Sequence, residues 1–512
     1  MSTQPIRFHH RGQTVEVTGV ATTRSVLDWL REDAGCVGTK EGCNEGDCGA
    51  CTVVVAELDD TAGSTGLALK TVNACLQFLP TLDGRALFTV EDLKPMNGGS
   101  LHPVQQAMVD SHASQCGFCT PGFVMSLWLA YVQTEPGTVP PSRAQLADAL
   151  SGNLCRCTGY RPILDAGERM FALPPVVFDA PGVATALRPL QRDTVFRYQG
   201  PSRHDVNPNA LRTDVFSAPR TIDELAALRL AQPHATLLSG CTDIGLWVNK
   251  QLRDLGDIVY LGEVKALKTI SQRDGVLHVG AGVSLEVAWA ALASHAPELT
   301  EVWRRFASPP IRHAGTLGGN LANGSPIGDS APVLLALDAV LVLQHGAAER
   351  RVPLHAFYLG YMENQLAEGE WLSAIELPLN AFDAQVRSYK ISKRFDCDIS
   401  AVCAGLSVKV DAQNIVTQVR LAFGGMAATV QRASTAEAAL MGKAWTLGAV
   451  QHARLALAVD FQPLSDLRAS AAYRLQVAQN LLQRFWLETR RVDPLPPRST
   501  RVWPILPAEP KR

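Results

Sequence analysis

The first 90 residues alternate between strand-like apolar runs and one helical stretch, a pattern typical of a mixed α/β domain. Strands are predicted at 6–17, 51–58 and 85–90, and a helix at 25–32. Arg11-Gly12 divides the first run and predicts a β-hairpin. The glycine-rich segment 41–51 has little periodicity and predicts a loop.

The pattern then becomes helical. Apolar residues at helical spacing predict four helices at 102–113, 120–133, 143–151 and 162–172. The stretch 173–212 is rich in proline and weakly periodic, which predicts an interdomain linker.

Strands and helices alternate again in the second half of the chain. The segment 213–380 predicts helices at 221–232 and 284–294 and strands at 235–239 and 277–280. A final α+β segment, 385–490, predicts strands at 386–391, 402–410 and 417–423 and a helix at 468–489. The tail 491–512 is rich in proline and is expected to drape over a surface or to be disordered.

Composition excludes several classes of protein. Lysine and arginine number 47 against 49 aspartate and glutamate, so there is no footprint for nucleic acid or an anionic membrane. No apolar run is long enough to span a bilayer, and the N-terminus lacks the apolar core of a signal peptide. We therefore expect a cytoplasmic protein.

Eight of the 12 cysteines form two groups in the first third of the chain. Cys43, Cys48, Cys51 and Cys75 have the spacing C-x4-C-x2-C…C of plant-type ferredoxins. Three thiolates from one short loop can converge only if the backbone takes unusual angles, which Gly42, Gly46 and Gly49 permit. The alternatives are a zinc site or four ordinary buried thiols, but zinc favours paired C-x2-4-C knuckles.

The second group is Cys116, Cys119, Cys155 and Cys157, with the spacing C-x2-C…C-x-C. Both pairs precede predicted helices, whose N-termini direct free amides and a positive dipole end at the thiolates. Pro121 and Pro162 fit the first turns of those helices. Spacing alone leaves a four-cysteine zinc site open, and the ferredoxin-type loop upstream favours a second iron–sulfur cluster.

Two glycine-rich turns follow strands in the second half, 237–244 and 316–320, the latter followed by Ser325–Asp329. Such turns let backbone N–H groups approach a pyrophosphate closely. Neither matches G-x-G-x-x-G, so a Rossmann domain is not predicted. Ordinary structural glycines remain the alternative.

The order of motifs is distinctive. The segments 41–53, 115–123 and 152–163 resemble the xanthine dehydrogenase and molybdenum hydroxylase family. The resemblance implies a multidomain α+β fold with six parts. These are a plant-type ferredoxin β-grasp domain (1–90), a four-helix 2Fe-2S domain (91–172), a linker (173–212), a VAO/PCMH-type FAD-binding domain (213–380), a C-terminal α+β flavoprotein domain (385–490) and a tail (491–512).

The same resemblance implies specific cofactor contacts. The eight cysteines would hold two 2Fe-2S clusters, and FAD would be contacted by both glycine-rich turns and four further residues. The implied FAD contacts are Leu237, Leu238, Ser239, Gly240, Cys241, Thr242, Asp243, Ile244, Phe306, Thr316, Leu317, Gly318, Gly319, Asn320, Asp329, Leu372 and Lys390. The segment 393–398 matches a loop that helps decide between NAD+ and O2 as acceptor; the alternative is a solvated loop.

The implied function is that of the small subunit of a bacterial xanthine dehydrogenase. Electrons would leave a molybdopterin site on a large partner subunit and pass through the helical-domain cluster, the ferredoxin-type cluster and FAD to NAD+. They would derive from oxidation of hypoxanthine and xanthine to urate. No catalytic residue for purine chemistry is predicted in this chain, and two small and two large subunits would form a heterotetramer. The alternatives are the same subunit of another molybdenum hydroxylase, acting on an aldehyde or an N-heterocycle, and a non-catalytic redox carrier.

Overall fold

The computed structural model describes residues 3–59, 66–135, 137–204 and 212–500. Contacts divide the chain into two compact units. The first is Met1–Lys265 with Ala307–Gly315, and the second is Ala266–Phe306 with Thr316–Arg512. The predicted flavin domain at 213–380 therefore contributes to both units.

A five-stranded sheet forms the first part of the first unit. In spatial order its strands are Gln13–Val17, Ile6–His10, Ala86–Phe88, Thr52–Leu58 and Leu67–Asn73, of which the last was not predicted. The predicted hairpin is confirmed, because Arg11 and Gly12 have φ angles of 51° and 75° in a two-residue turn. Val53–Ala56 is buried on both faces, since alternate side chains join two different hydrophobic clusters.

Helices cover one face of this sheet. The four predicted helices are confirmed at Pro103–Asp110, Thr120–Val132, Arg143–Ala149 and Arg161–Arg169. They surround the buried rings of Phe123 and Trp128, which pack in one cluster with Val54 and Ala56 of the sheet. The predicted helix at 25–32 is a short α-helix, Val26–Asp28, that continues as a π-helix, Trp29–Asp33. A further helix spans Val90–Met96.

The segment expected as a linker contains regular structure. A helix spans Ala180–Leu187 and a strand spans Phe196–Pro201. Ala184 and Leu187 are buried in the helical-domain core, and Phe196 and Tyr198 in the core on the other side of the ferredoxin-type sheet. Both elements are short, so few apolar positions were available to reveal their period.

The described remainder of the first unit contains a four-stranded sheet and three α-helices. The strand order is Phe196–Pro201, Thr213–Ala218, Ile258–Tyr260 and Thr236–Leu238, and the last three strands run parallel. The helices are Ile222–Ala231, Ile244–Asn249 and Pro309–Ala314. Phe216 and Leu238 of this sheet share a hydrophobic cluster with Phe8 and Val53 of the ferredoxin-type sheet. The two sheets therefore belong to one core.

The second unit begins with another five-stranded sheet. Its order is Ile270–Arg273, Val276–Gly280, Trp371–Pro378, Val340–His345 and Ala348–Pro353, and every neighbouring pair is antiparallel. Its helices are Leu285–His295, Thr300–Arg305, Leu317–Ala322, Ser330–Ala336 and Leu354–Phe357. A small hairpin pairs Tyr358–Gly360 with Glu363–Asn364.

An antiparallel sheet completes the second unit. Its strands, in order, are Gln385–Ile391, Val402–Val410, Val416–Gly424 and Gln431–Arg432, so all three predicted strands are confirmed. Three helices, Ser434–Leu440, Leu447–Asp460 and Ala471–Thr489, bury Leu440, Leu457 and Phe485 against it. Of the predicted tail, residues 501–512 lie outside the described residues. Among the described helices, none is long and apolar enough to cross a membrane.

Gly405 tests the packing of the last sheet on the helix Ser330–Ala336. A Cβ atom at Gly405 would lie 2.2 Å from the carbonyl oxygen of Pro332, so Gly405→Ala must displace the backbone. We expect a loss of about 1–3 kcal/mol in stability, seen as a lower melting temperature by calorimetry. Gly448→Ala is the matched control, since Gly448 is an exposed residue in the first turn of the helix Leu447–Asp460 with open space around it; the variant should be neutral or stabilising. Equal melting temperatures for the two variants would contradict the close contact.

His102 generates a prediction on pH. The buried His102 ring caps the helix Pro103–Asp110 by accepting a hydrogen bond from the Val104 amide, and burial lowers the pKa of His102 to about 4. Because the unfolded chain binds a proton at about pH 6.5, the neutral ring contributes stability that is complete above that pH. This contribution, up to about 3 kcal/mol, is lost as the pH falls from about 6.5 to 4.

The measurement is melting temperature against pH for the parent chain and for His102→Asn. Asparagine can accept the same cap hydrogen bond but does not titrate. The parent should lose more stability than the variant between pH 6.5 and 4. Parallel curves would show that His102 is protonated in the folded chain.

Candidate metal centres and flavin-binding segments

The first cysteine group lies at one end of the ferredoxin-type sheet. Cys43 and Cys48 lie in the predicted loop, and Cys51 precedes the strand Thr52–Leu58. Because Thr52 pairs with Asn73 of the neighbouring strand, Cys51 and Cys75 lie at the same end of the sheet, with their sulfur atoms 3.3 Å apart. The fourth predicted ligand therefore lies beside the three-cysteine loop.

Cys43 and Cys48 form a second pair within that group. Each backbone N–H donates to the sulfur of the other residue at 3.3 Å. Hydrogen bonding from the Cys48 thiol, helped by the amides of Glu45 and Asp47, lowers the pKa of Cys43 to about 5. The same shared hydrogen bond raises the pKa of Cys48. One thiol of the pair is therefore stabilised as the thiolate, which is the form that binds a metal.

The glycines of this loop have different roles. Gly46 and Gly49 have φ angles of 79° and 68°, as predicted. Gly42 is not in the left-handed region; instead, a Cβ there would lie 2.8 Å from the Cys48 sulfur. Gly42 thus supplies space beside a predicted ligand rather than an unusual backbone angle.

The second group also consists of two pairs. The sulfurs of Cys116 and Cys157 are 3.6 Å apart on an exposed surface. Cys119 and Cys155 are hydrogen bonded to each other, and burial together with that bond raises the pKa of Cys119 to about 12. Cys119 directly precedes the helix Thr120–Val132, which has Pro121 in its first turn as predicted.

Paired thiols fit the predicted iron–sulfur clusters. Two thiolates for each of two irons match the two pairs of each group. The residues of each group therefore fit a 2Fe-2S cluster.

The two cysteine groups are joined by a buried hydrogen-bond network that the sequence did not reveal. Leu154, next to Cys155, donates its N–H to the carbonyl of Cys48 at 3.0 Å. The buried Asn153 donates to the carbonyl of Gly49 at 3.0 Å and accepts from Ser126 Oγ at 2.6 Å. No local pattern marks Asn153, because its partners are 27 and 104 residues away.

The first predicted flavin segment, 237–244, lies in the first unit. It leaves the strand Thr236–Leu238, turns at Cys241 with a φ angle of 63°, and enters the helix Ile244–Asn249. A Cβ at Gly240 would lie 2.1 Å from the carbonyl oxygen of Ala314, so only glycine fits. Burial raises the pKa of Asp243 at the end of the turn.

The second flavin segment, 316–320, lies in the second unit with the other four predicted contacts. Thr316 Oγ1 accepts from the Gly319 amide at 3.1 Å and starts the helix Leu317–Ala322. Asn320 Oδ1 is buried and has no hydrogen-bond partner among the described residues. A polar atom buried in this way needs a partner, which a bound cofactor would provide. Phe306 and Leu372 are buried.

Lys390 and Asp329 form a buried ion pair in the second unit. The Lys390 Nζ donates to Asp329 Oδ2 at 2.6 Å and to Ser400 Oγ at 2.8 Å, and Ser400 Oγ donates to Asp329 Oδ1 at 2.5 Å. The structure thus brings together two residues that the resemblance named separately and adds Ser400. A buried pair is tolerated only when its remaining donors and acceptors are satisfied, which is the contribution of Ser400.

The predicted acceptor loop, 393–398, is ordered by its own contacts. Arg394 makes two hydrogen bonds within the loop. Its backbone N–H donates to Asp398 Oδ2 at 2.7 Å, and its guanidinium donates to the carbonyl of Cys397 at 2.6 Å. Arg305 lies over the Phe395 ring at 4.3 Å and donates to the Phe395 carbonyl. The buried Cys397 has a φ angle of 49°. These contacts fit an ordered loop better than a freely solvated one.

Four family models match consecutive parts of the chain. They are the 2Fe-2S iron-sulfur cluster binding domain at 8–78, the 2Fe-2S binding domain at 89–168, the FAD binding domain in molybdopterin dehydrogenase at 211–380 and the CO dehydrogenase flavoprotein C-terminal domain at 387–489. The expected multidomain α+β fold, with two 2Fe-2S domains, an FAD-binding domain and a C-terminal flavoprotein domain, is thereby confirmed.

Curated relatives include xanthine dehydrogenases. The chain is 32% identical to that of Emericella nidulans over 94% of its own length, and 31% identical to the xanthine dehydrogenase/oxidase of Rattus norvegicus over 91%. It spans only 38% and 37% of those two proteins.

Solved structures of carbon monoxide dehydrogenases also match part of the chain. Carbon monoxide dehydrogenase from Hydrogenophaga pseudoflava, in a form lacking the Mo-pyranopterin moiety, matches with a TM-score of 0.50 and 27% identity. The match covers 52% of this chain and 94% of that one. A cyanide-inactivated Cu,Mo-CO dehydrogenase matches with a TM-score of 0.50 and 25% identity, over the same shares of both chains.

Gly49 provides a test of the junction between the two cysteine groups. A Cβ there would lie 2.1 Å from the carbonyl oxygen of Gly152, and the φ angle of 68° is unfavourable for alanine. We expect Gly49→Ala to lose most of the iron bound by the chain, measured per chain on the purified protein. Gly12→Ala is the control, since Gly12 has a φ angle of 75° but open space around it. If both variants kept their iron equally, the close packing at Gly49 would not matter for the metal sites.

The paired thiols, the flavin-binding model and the dehydrogenase relatives agree. The chain belongs to the molybdenum hydroxylase family and carries its two 2Fe-2S domains, its FAD-binding domain and its flavoprotein C-terminal domain.

Proposed function

We propose that this chain is the iron–sulfur and FAD subunit of a xanthine dehydrogenase. It would receive electrons from a molybdopterin site on a large partner subunit and deliver them to NAD+, in support of the oxidation of hypoxanthine and xanthine to urate. The observation that carries the proposal is the arrangement of eight cysteines as two pairs in each of two joined sites. When bound, the clusters carry single electrons, and FAD collects two and passes them on as hydride.

The chain's own residues hold these groups. One cluster is assigned to Cys43, Cys48, Cys51 and Cys75, and the other to Cys116, Cys119, Cys155 and Cys157. Hydrogen bonds from the Cys48 thiol and from the amides of Glu45 and Asp47 lower the pKa of Cys43, and the Asn153 network joins the two sites. Cys116 and Cys157 are exposed, which supports the proposal that their cluster is the first to receive electrons from the partner subunit.

FAD is proposed to contact the residues that the family resemblance implies. One set is the eight residues 237–244. The other set is Phe306, Thr316, Leu317, Gly318, Gly319, Asn320, Asp329, Leu372 and Lys390. The orphaned oxygen of Asn320 and the glycine-only approach at Gly240 support these assignments.

The proposed domain limits are those predicted from the sequence, namely 1–90, 91–172, 213–380 and 385–490, with the tail from 491. The stoichiometry of two small and two large subunits and the cytoplasmic location are further parts of the proposal. A reducing compartment would keep closely spaced thiols available as metal ligands.

A second candidate is the same role in a molybdenum hydroxylase with another substrate, such as an aldehyde or an N-heterocycle. The likeness of part of the chain to carbon monoxide dehydrogenase structures supports this candidate. A non-catalytic redox carrier is less well supported, because it would not need a flavin-binding domain.

The test is analysis of the purified chain together with whatever co-purifies. Iron, acid-labile sulfide, FAD and molybdenum are measured per chain, and xanthine-dependent NAD+ reduction is assayed beside an aldehyde and an N-heterocycle. We expect about four irons and one FAD per chain, with NADH rather than peroxide formed from xanthine. Two irons or no flavin would reject the cofactor assignment. Activity only with another substrate would select the second candidate, and cofactors without NADH formation would select the redox carrier.

A further inference from the structure

The helix Ile244–Asn249 connects the first flavin segment to the first cysteine site within the same unit. It starts where the segment 237–244 ends. A Cβ at Gly245 would lie 2.8 Å from the carbonyl oxygen of Leu76, the residue after Cys75. The backbone of this helix therefore lies directly against the turn that carries the fourth cysteine.

Asn249, the last residue of that helix, binds both parts of the cysteine site. Its side-chain amide donates to the carbonyl oxygen of Cys75 at 2.8 Å and to Asn44 Oδ1 at 3.1 Å. Asn44 directly follows Cys43 and has a φ angle of 55°, in the left-handed region. One amide group thus links two backbone segments that are separate in sequence.

The hydrogen bonds of Asn249 join the two backbone segments whose spacing the cysteine site depends on. Three cysteines come from one loop and the fourth from another turn, so the distance between these segments decides whether all four can bind one cluster. Groups that hold ligands in place commonly change metal affinity by about 10- to 100-fold when they are removed. Lys250 adds a bond to the carbonyl of Cys43 at 2.5 Å, but its side chain is 43% exposed.

The same turn is also bonded to the flavin segment. Gln77, two residues after Cys75, donates its side-chain amide to the carbonyl oxygen of Gly240 at 3.1 Å. Asn249 therefore holds Cys75 at the end of a short chain of contacts that leads to the segment proposed to bind FAD. Movement of Cys75 would change both the cluster and its separation from that segment.

We propose that Asn249 is a positioning residue that clamps the turn of Cys75 to the loop of Cys43, Cys48 and Cys51. This inference rests on the proposed assignment of these cysteines to a 2Fe-2S cluster. It gives a residue of the flavin-binding part of the chain control over the stability and potential of the ferredoxin-type cluster.

The test uses Asn249→Asp in the full chain, purified with its bound cofactors. Aspartate keeps the shape but cannot donate, and it adds a negative charge near the cluster. When a chelator is added, two of the about four irons should leave roughly 10-fold faster than in the parent, and the other two at the parent rate. The electron paramagnetic resonance signal that disappears in Cys75→Ser should shift, and its midpoint potential should fall because added negative charge disfavours the reduced cluster.

Gln251→Glu is the matched control, since it makes the same amide-to-carboxylate change at an exposed residue two positions away. It should behave as the parent does. Asn44→Gly removes the other partner of the clamp and keeps the left-handed backbone; it should also accelerate loss of two irons, without the charge effect. If Asn249→Asp fails to fold, Asn44→Gly decides.

Unchanged iron release and unchanged resonance signals in both clamp variants would overturn the proposal. A parent protein with fewer than two cluster signals would instead reject the cluster assignment itself. The two failures are therefore distinguishable.

Discussion

The approach of the Gly49 backbone to the segment 152–155 is the contact on which both cysteine sites depend. At this point the loop that carries three cysteines meets the segment that leads into Cys155 and Cys157. A side chain at Gly49 would overlap the carbonyl of Gly152, and Asn153 donates to the carbonyl of Gly49 itself. The absence of one Cβ atom thus allows two buried polar segments to satisfy each other's hydrogen bonds.

The ferredoxin-type sheet explains how such a contact can be rigid. The strand Thr52–Leu58 is buried on both faces, with Val53 and Val55 in one core and Val54 and Ala56 in another. The cysteine loop runs directly into this strand, so its end is fixed by packing from two sides. Because interiors are packed as densely as crystals, a loop anchored in this way has little freedom to change the spacing of its ligands.

Local sequence patterns predicted the parts of this fold that depend on local physics. The turn at Arg11-Gly12, the left-handed Gly46 and Gly49, and the prolines that start helices are each determined by their own backbone preferences. The strand Leu67–Asn73 was missed because its residues are partly polar, and its pairing with Thr52–Leu58 supplies the missing stabilisation. The helix Ala180–Leu187 was missed because eight residues give too few turns to show a period.

The polar groups that join the sites could not be predicted in this way. Asn153, Asn249 and Ser400 have partners that are tens to hundreds of residues distant, and a single asparagine or serine has no pattern of its own. Their positions follow only from the tertiary fold.

The shared core that contains Phe8 and Phe216 holds the partners of these polar groups in place. The ferredoxin-type sheet and the sheet of the first flavin segment bury one set of side chains between them. Two domains with separate cores can move relative to each other at the surface that joins them. A common core prevents such movement, so the hydrogen bond from the Gln77 side chain to the Gly240 carbonyl keeps a constant length.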